Sequence, residues 1–249
     1  MTEYPGEIIV GVLGQWASGK STAACMLVTH LGGEDEVVFI TDRELFAGQV
    51  TNHFLELEDT KVTVAIEEDG SRRLESECAT VWLAPGEDLK TVDLNMLRFD
   101  LPDELLPLWL NRAREALAAQ ICERSACGKP IVIEAGFGKI PLGHTLSDFF
   151  NCLGEAGVGP DCAKWIIVEA GFAKRSERNE KRRDKVPIDV FAQYAADGGG
   201  LDPECQHRLQ VRGTKVKRVP NDHDDIDRFR ADIIAAFEEM FEEEFVQRA

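Results

Sequence analysis

Lys20, Ser21 and Thr22 close a short loop that begins at Gly14, and the apolar run EIIVGVL at 7–13 leads into it. The spacing G-x-x-x-x-G-K-S from Gly14 to Ser21 is that of a phosphate-binding loop. Gly14 and Gly19 permit backbone angles that a Cβ would forbid, so the N–H groups of Gln15, Trp16, Ala17 and Ser18 can turn inward onto phosphate oxygens. Lys20 supplies a point charge for β- and γ-phosphates, and Ser21 a hydroxyl for magnesium. A helix starting at Lys20 and running through Thr22 aims its positive end at the same anion. Residues 14–22 therefore predict binding of a nucleoside triphosphate, with ATP and Mg2+ as cofactors. The plainer alternative is an ordinary glycine-rich turn, or a loop that has lost its ligand.

Two carboxylates stand where such a loop needs them. Asp42, in VVFITDREL, follows the second apolar run and is placed at the carboxyl edge of a strand, where open α/β sheets bind ligands. There it can accept or orient the proton of an attacking hydroxyl. Thr41 or Asp42 could instead cap a helix beginning at RELFAG. Glu134 ends the run KPIVIEA and is the candidate acid on the metal or substrate side, because the third strand of such sheets usually neighbours the first. A near-repeat, IVIEAGFGK at 131–139 and IIVEAGFAK at 166–174, places Glu169 in a similar context, with a structural or peripheral role expected. The base-reading Asn/Thr-Lys-x-Asp of GTPase switches is absent, the third strand does not end in Asp-Glu, and Gln15 and Trp16 stand where a deviant loop carries a second lysine.

Positioning these residues requires a parallel sheet. Five short apolar runs, 7–13, 36–41, 129–135, 164–170 and 214–220, alternate with helical patterns at 20–31, 102–125, 144–153, 174–184 and 223–246, which predicts strands buried on both faces between helices. The fold class is α/β, a three-layer sandwich of the P-loop NTPase kind. One domain is expected over 1–249, interrupted by an insertion at about 50–100 that contains a β-hairpin turning at Asp69-Gly70. Pro107 moves the start of the 102–125 helix later.

The chain carries a formal charge of -17, which argues against a general nucleic-acid binder. The stretch 171–218 breaks the pattern, with 12 Lys/Arg against 7 Asp/Glu. Within it Arg175, Arg178 and Arg182 recur at helical spacing, so one face can carry three guanidinium groups that fold over a triphosphate as a lid, about 173–200. A solvated helix laced by Glu177 and Glu180 is the alternative. Gly198–Gly200 reads either as the lid's hinge or as a loose loop. Arg43, Arg72, Arg73 and Arg98 are available to hold an anionic substrate. Seven scattered cysteines without C-x-x-C pairing, no signal-like start and no run of about 18 apolar residues place the protein in the cytoplasm, away from membranes.

GQWASGKST, the TD after the second strand, the arginines after the fourth and VPNDHDDIDRFRADI together resemble the nucleoside-monophosphate-kinase-like group of P-loop kinases, closest in plan to dephospho-coenzyme A and uridine kinases. The resemblance covers roughly 1–45 and 125–240. It implies lid arginines, here Arg175, Arg178 and Arg182, closing over the triphosphate, and a loop near the adenine, here Asn221 and Asp222. The chain departs from the group in having Glu134 where many relatives have Asp, in the hairpin insertion and in the long segment after the lid. The expected activity is phosphotransfer from ATP to a small-molecule acceptor; the alternative is a nucleotide-switched accessory protein in which Trp16 and the insertion report nucleotide state.

Overall fold

The computed structural model describes residues 8–57, 61–94, 97–125, 127–136, 145–182, 188, 191–192 and 203–246. In chain order the elements are β1 Ile9–Gly14, α1 Lys20–His30, β2 Val38–Thr41, α2 Asp42–Glu56, β3 Thr63–Ile66, β4 Arg72–Glu75, β5 Thr80–Leu83, β6 Arg98–Asp100, α3 Leu106–Ser125, β7 Ile131–Gly136, α4 Leu146–Glu155, β8 Lys164–Glu169, α5 Phe172–Lys181, α6 Pro203–Val211, β9 Val216–Pro220 and α7 Ile226–Val246. Two compact units divide them, one made of 1–40 and 118–249, the other of 41–117.

The first unit is built on a five-stranded sheet in the order β2-β7-β1-β8-β9. All five predicted runs are its strands. β1 lies in the middle, parallel to β7 on one side and β8 on the other, and each of its six residues is buried, as a strand covered on both faces must be. The register sets Val12 opposite Glu134 and Gly14 opposite Gly136, so the third predicted strand does neighbour the first. Alternation sorts the side chains. Val10, Val12, Ile166 and Val168 join Ala23 and Leu27 of α1 and Phe229, Ile233 and Phe237 of α7 in one core. Trp165 belongs to the other face, where Phe149 and Phe150 of α4 meet it edge-on at 5.4 and 5.3 Å. A reciprocal capping box between Thr145 and Asp148 starts α4.

The second unit pairs α2 and the first turns of α3 with an antiparallel sheet in the order β3-β4-β5-β6. The hairpin turn falls where Asp69-Gly70 predicts it: Gly70 takes φ 81, and the Asp69 carboxylate accepts from the Ser71 N–H at 2.9 Å and its hydroxyl at 2.6 Å. Those bonds hold the Asp69 carboxyl below its ordinary range. The hairpin continues into β5 and β6, and the compact unit, 41–117, is wider than the expected 50–100 because it also takes in α2 and the first turns of α3. Ala47, Val50 and Phe54 from α2, Leu74, Val81 and Leu83 from the sheet and Trp109 from α3 form its core.

His53 is wedged in this core, edge-on to Phe54 and Trp109 at 5.6 and 5.4 Å, with Nε2 3.2 Å from Ser76 Oγ. Burial pushes its pKa down, the Arg112 charge adds to that, and Glu56 opposes both. The fold therefore prefers the neutral ring, while the unfolded chain takes up a proton near an ordinary pKa of about 6.5. Stability from this site is complete above that pH and is lost as the pH falls below it. The expected result is a thermal midpoint that drops between pH 7 and 5.5 less steeply in His53→Gln than in the wild type, read by circular dichroism.

Candidate phosphate-loop site

Gly14 and Gly19 each answer a demand that the loop makes on its backbone. A Cβ on Gly14 would stand 2.3 Å from Ser18 Oγ, and Gly19 takes φ 100. Ala17 is the non-glycine residue with positive φ, 59, among the described residues, a left-handed conformation that costs about 1 kcal/mol or more. Strain of this kind persists where the surroundings over-determine the backbone. Ser18 is 1 % exposed and its N–H donates to the Gln15 carbonyl at 3.1 Å, which tightens the turn between them. Trp16 stands at the loop surface, 38 % exposed.

Glu134 reaches this loop from β7. The Ser21 hydroxyl donates to its Oε1 at 2.6 Å, and Lys20 Nζ lies 3.5 Å from the same oxygen. The carboxylate is buried, 8 % exposed, and is compensated by a cation and a hydroxyl donor. Hydroxyl, ammonium and carboxylate thus meet at the start of α1, beside the left-handed N-cap Gly19. Ser21 and Glu134 are hard oxygen donors of the sort that magnesium shares with substrate phosphates, and two protein ligands suffice for it. Glu169, the other half of the sequence echo, lies apart: its carboxylate pairs with Arg218 at the surface. The echo's residues 137–139 are outside the described residues.

The arginines of α5 do not share one exposed face. Arg175 is 1 % exposed and its Nε donates to the Ala170 carbonyl at 2.9 Å. Arg178 is half-buried and ties three acceptors together: the Ser18 carbonyl at 3.1 Å, Asn221 Oδ1 at 3.1 Å and the His223 carbonyl at 2.9 Å. Arg182 is the exposed C-cap. Asn179, at 0 % exposure, pulls one side of the helix inward, and that burial is what splits the predicted face. The outer side is the solvated ladder of the alternative reading. Lys181 and Lys174 hold the Glu177 carboxyl down to about 2, and Asp224, then Glu177, raise Lys174. Residues 183–187, 193–202 and hence Gly198–Gly200 are outside the described residues.

Asn221 and Asp222 both bind backbone. Asn221 Nδ2 donates to the Ser18 carbonyl at 2.8 Å, and Asp222 Oδ1 accepts from the Gly171 N–H at 2.6 Å, at the start of α5. A cleft of about 230 Å³ opens beside the loop, walled by Gly19, Thr22, Arg178, Asn221, Ile226 and Phe229. It is smaller than the 300 Å³ or so of a pocket for a whole drug-sized ligand, so it suits one moiety of a larger one. Ile226 and Phe229 were not reached by motif reasoning, although two apolar residues three apart at the start of a helix are a readable signal.

In the other unit, Thr41 Oγ1 accepts from the Glu44 N–H at 3.1 Å and is the N-cap of α2, which leaves Asp42 as the first helical residue, half-buried. The four arginines proposed for an anionic substrate have local partners. Arg43 donates to the Leu97 carbonyl and Arg72 to that of Glu87, Arg73 pairs with Glu67 and Glu75, and Arg98 lies 4.6 Å over the Trp82 ring.

The strand order and the loop at the end of β1 define an α/β fold of the P-loop kind, a five-stranded parallel sheet flanked by helices. Among solved structures, the chain is similar to a sugar kinase from Janibacter sp., at 14% identity over 94% of this chain and 95% of that one, with a TM-score of 0.51, a likeness of fold. A thymidylate kinase from Ehrlichia chaffeensis and a shikimate kinase from Bacteroides thetaiotaomicron also align over 94% of this chain, and 99% and 98% of theirs, at 14% identity, with TM-scores of 0.46 and 0.42. No protein-family model matches the sequence, and no curated protein matches it. No helix among the described residues is long and apolar enough to cross a membrane, and the seven cysteines are free thiols.

Proposed function

We propose that the protein is a small-molecule kinase that transfers the γ-phosphoryl group of ATP to an acceptor hydroxyl. The observation that carries this reading is the junction of Lys20, Ser21 and Glu134 on the phosphate loop, with Ser21 Oγ 2.6 Å and Lys20 Nζ 3.5 Å from one carboxylate oxygen. Ser21 and Glu134 would hold magnesium, which would supply positive charge against the charge developing on the transferring group. The loop's N–H groups and Lys20 hold the β- and γ-phosphates, and the cleft walled by Thr22, Ile226 and Phe229 takes the base. Asp42 accepts or orients the acceptor's proton. Of the three lid arginines, Arg182, at the exposed C-cap of α5, is the one proposed to act on the transferring group. The acceptor is a small molecule, anionic or neutral. The proposed location is the cytoplasm, where the thiols stay reduced.

A panel of hydroxyl acceptors, including sugars, nucleosides, nucleoside monophosphates and hydroxy acids, incubated with ATP and magnesium, tests the reading through ADP release. Acceptor-stimulated release is the expected result. Slow hydrolysis indifferent to every acceptor would move the assignment to a nucleotide-switched accessory protein, the reading favoured by the 38 % exposed Trp16 on the loop.

A further inference from the structure

Resting on the nucleotide-binding reading above, we propose that Asn221 and Arg178 are positioning residues that set the shape of the phosphate loop, acting on its backbone and not on the nucleotide. Both converge on one atom. The Ser18 carbonyl oxygen accepts from Asn221 Nδ2 at 2.8 Å and from Arg178 Nη1 at 3.1 Å, so both of its lone pairs are used. The peptide that follows is planar, and fixing its carbonyl fixes the opposite direction of the Gly19 N–H, one of the donors that a phosphate loop offers.

The two side chains also hold each other. Arg178 Nη2 donates to Asn221 Oδ1 at 3.1 Å and to the His223 carbonyl at 2.9 Å, and the Asn221 N–H donates to the Glu169 carbonyl. With its amide oxygen facing a guanidinium and its amide nitrogen facing a carbonyl, Asn221 has one orientation that satisfies both neighbours. It is 4 % exposed, and a Cβ on Gly19 would stand 2.4 Å from its Nδ2, so the amide is packed directly on the left-handed Gly19. The loop is thus braced by a residue 203 positions away and by the helix after β8. The arginine that the sequence suggests for a moving lid is fastened to the backbone of the loop itself.

A brace of this kind predicts that its loss is felt by any ligand of the loop, whether or not it carries a base. Calorimetric titration with MgATP and with inorganic tripolyphosphate, on proteins verified as folded by circular dichroism, reads this. Asn221→Ala is expected to weaken both ligands by a similar factor, about tenfold or more, since it removes the shorter of the two bonds on the Ser18 carbonyl and one of the three acceptors that hold the Arg178 guanidinium in place. Arg178→Lys keeps the charge but cannot span three acceptors, and is expected to weaken both as well. The double variant should fall short of the product of the two losses, because both side chains serve the same carbonyl. Should Asn221→Ala fail to fold, Asn221→Asp makes the same comparison: it keeps the volume and the acceptor for Arg178 but sets a carboxylate oxygen against the Ser18 carbonyl. Loss of ATP with tripolyphosphate binding intact would make Asn221 a base contact and overturn the proposal. A lowered melting temperature with both affinities unchanged would reduce the pair to fold support and overturn it too. If the wild type binds neither ligand, the phosphate-loop reading itself fails and the brace has nothing to position.

Discussion

Lys20→Ala is expected to lower ATP affinity or turnover by about 100-fold or more while leaving the fold in place, the scale of losing a preorganised charge at a transferring phosphoryl group. Its Nζ lies 3.5 Å from Glu134 and its side chain is 17% exposed at the loop, outside the cores that hold each unit together. Removing it takes no residue out of either apolar core. Glu134 keeps the Ser21 hydroxyl bond at 2.6 Å but loses its cation, so the variant is expected to melt at a lower temperature than the wild type while remaining folded. Circular dichroism beside a nucleotide titration reads both halves. Lys20→Arg is the instructive companion, because it restores charge with a planar, longer head that does not fit the space of an ammonium. Wild-type binding and turnover in Lys20→Ala would remove the phosphate-loop assignment altogether.

How much of this could be read from the chain depends on whether the signal is local. Four of the five sheet strands were legible as short, mainly apolar runs, IVGVLG, VFIT, IVIEAG and KWIIVE, whereas the fifth, VKRVP, alternates polar and apolar residues and is the weakest of the five signals. The hairpin was legible because Asp69-Gly70 names its own turn. β5 and β6, of four and three residues, are too short to show a period, and α6 buries Cys205 and Leu209 on a nine-residue span. α2 was read only as a possible cap: Gly48, Thr51 and Asn52 weaken its intrinsic propensity, and the packing of Leu45, Ala47, Val50 and Phe54 decides the matter. The same division runs through the site. Residues 14–22 form a contiguous motif, and Glu134 follows from the rule that the first and third strands are neighbours. The partnership of Asn221 with Ser18 has no local trace, since it exists because β9 lies beside β8 and returns the chain to the loop. Helical spacing placed Arg175, Arg178 and Arg182 together correctly in sequence, yet spacing cannot say which side of a helix is inside. The burial of Asn179 and Arg175 made that choice.

Asp42→Asn is expected to reduce acceptor-stimulated turnover by about 10²–10⁴-fold, the usual worth of a positioned proton acceptor, while ATP affinity stays near that of the wild type. From sequence alone, the carboxylate competed with a capping role. The structure gives that role to Thr41, whose extended backbone, φ -113 and ψ 142, and side-chain bond to the Glu44 N–H make it the N-cap of α2. The two functions can therefore be separated by neighbouring substitutions. Thr41→Ala should cost about 1 kcal/mol of stability through the lost cap. Asp42→Asn, one position further in, leaves that cap in place and forfeits a charge at the positive end of the helix, a contribution of about 0.3–1 kcal/mol. Comparing two reactions sharpens the test. A residue that takes the acceptor's proton matters when an acceptor hydroxyl attacks, and much less when water hydrolyses ATP in its absence, so the loss should be concentrated in acceptor-stimulated ADP release. Equal small losses in both reactions, tracking the melting temperature, would return Asp42 to the helix as a first-turn carboxylate with no part in the chemistry.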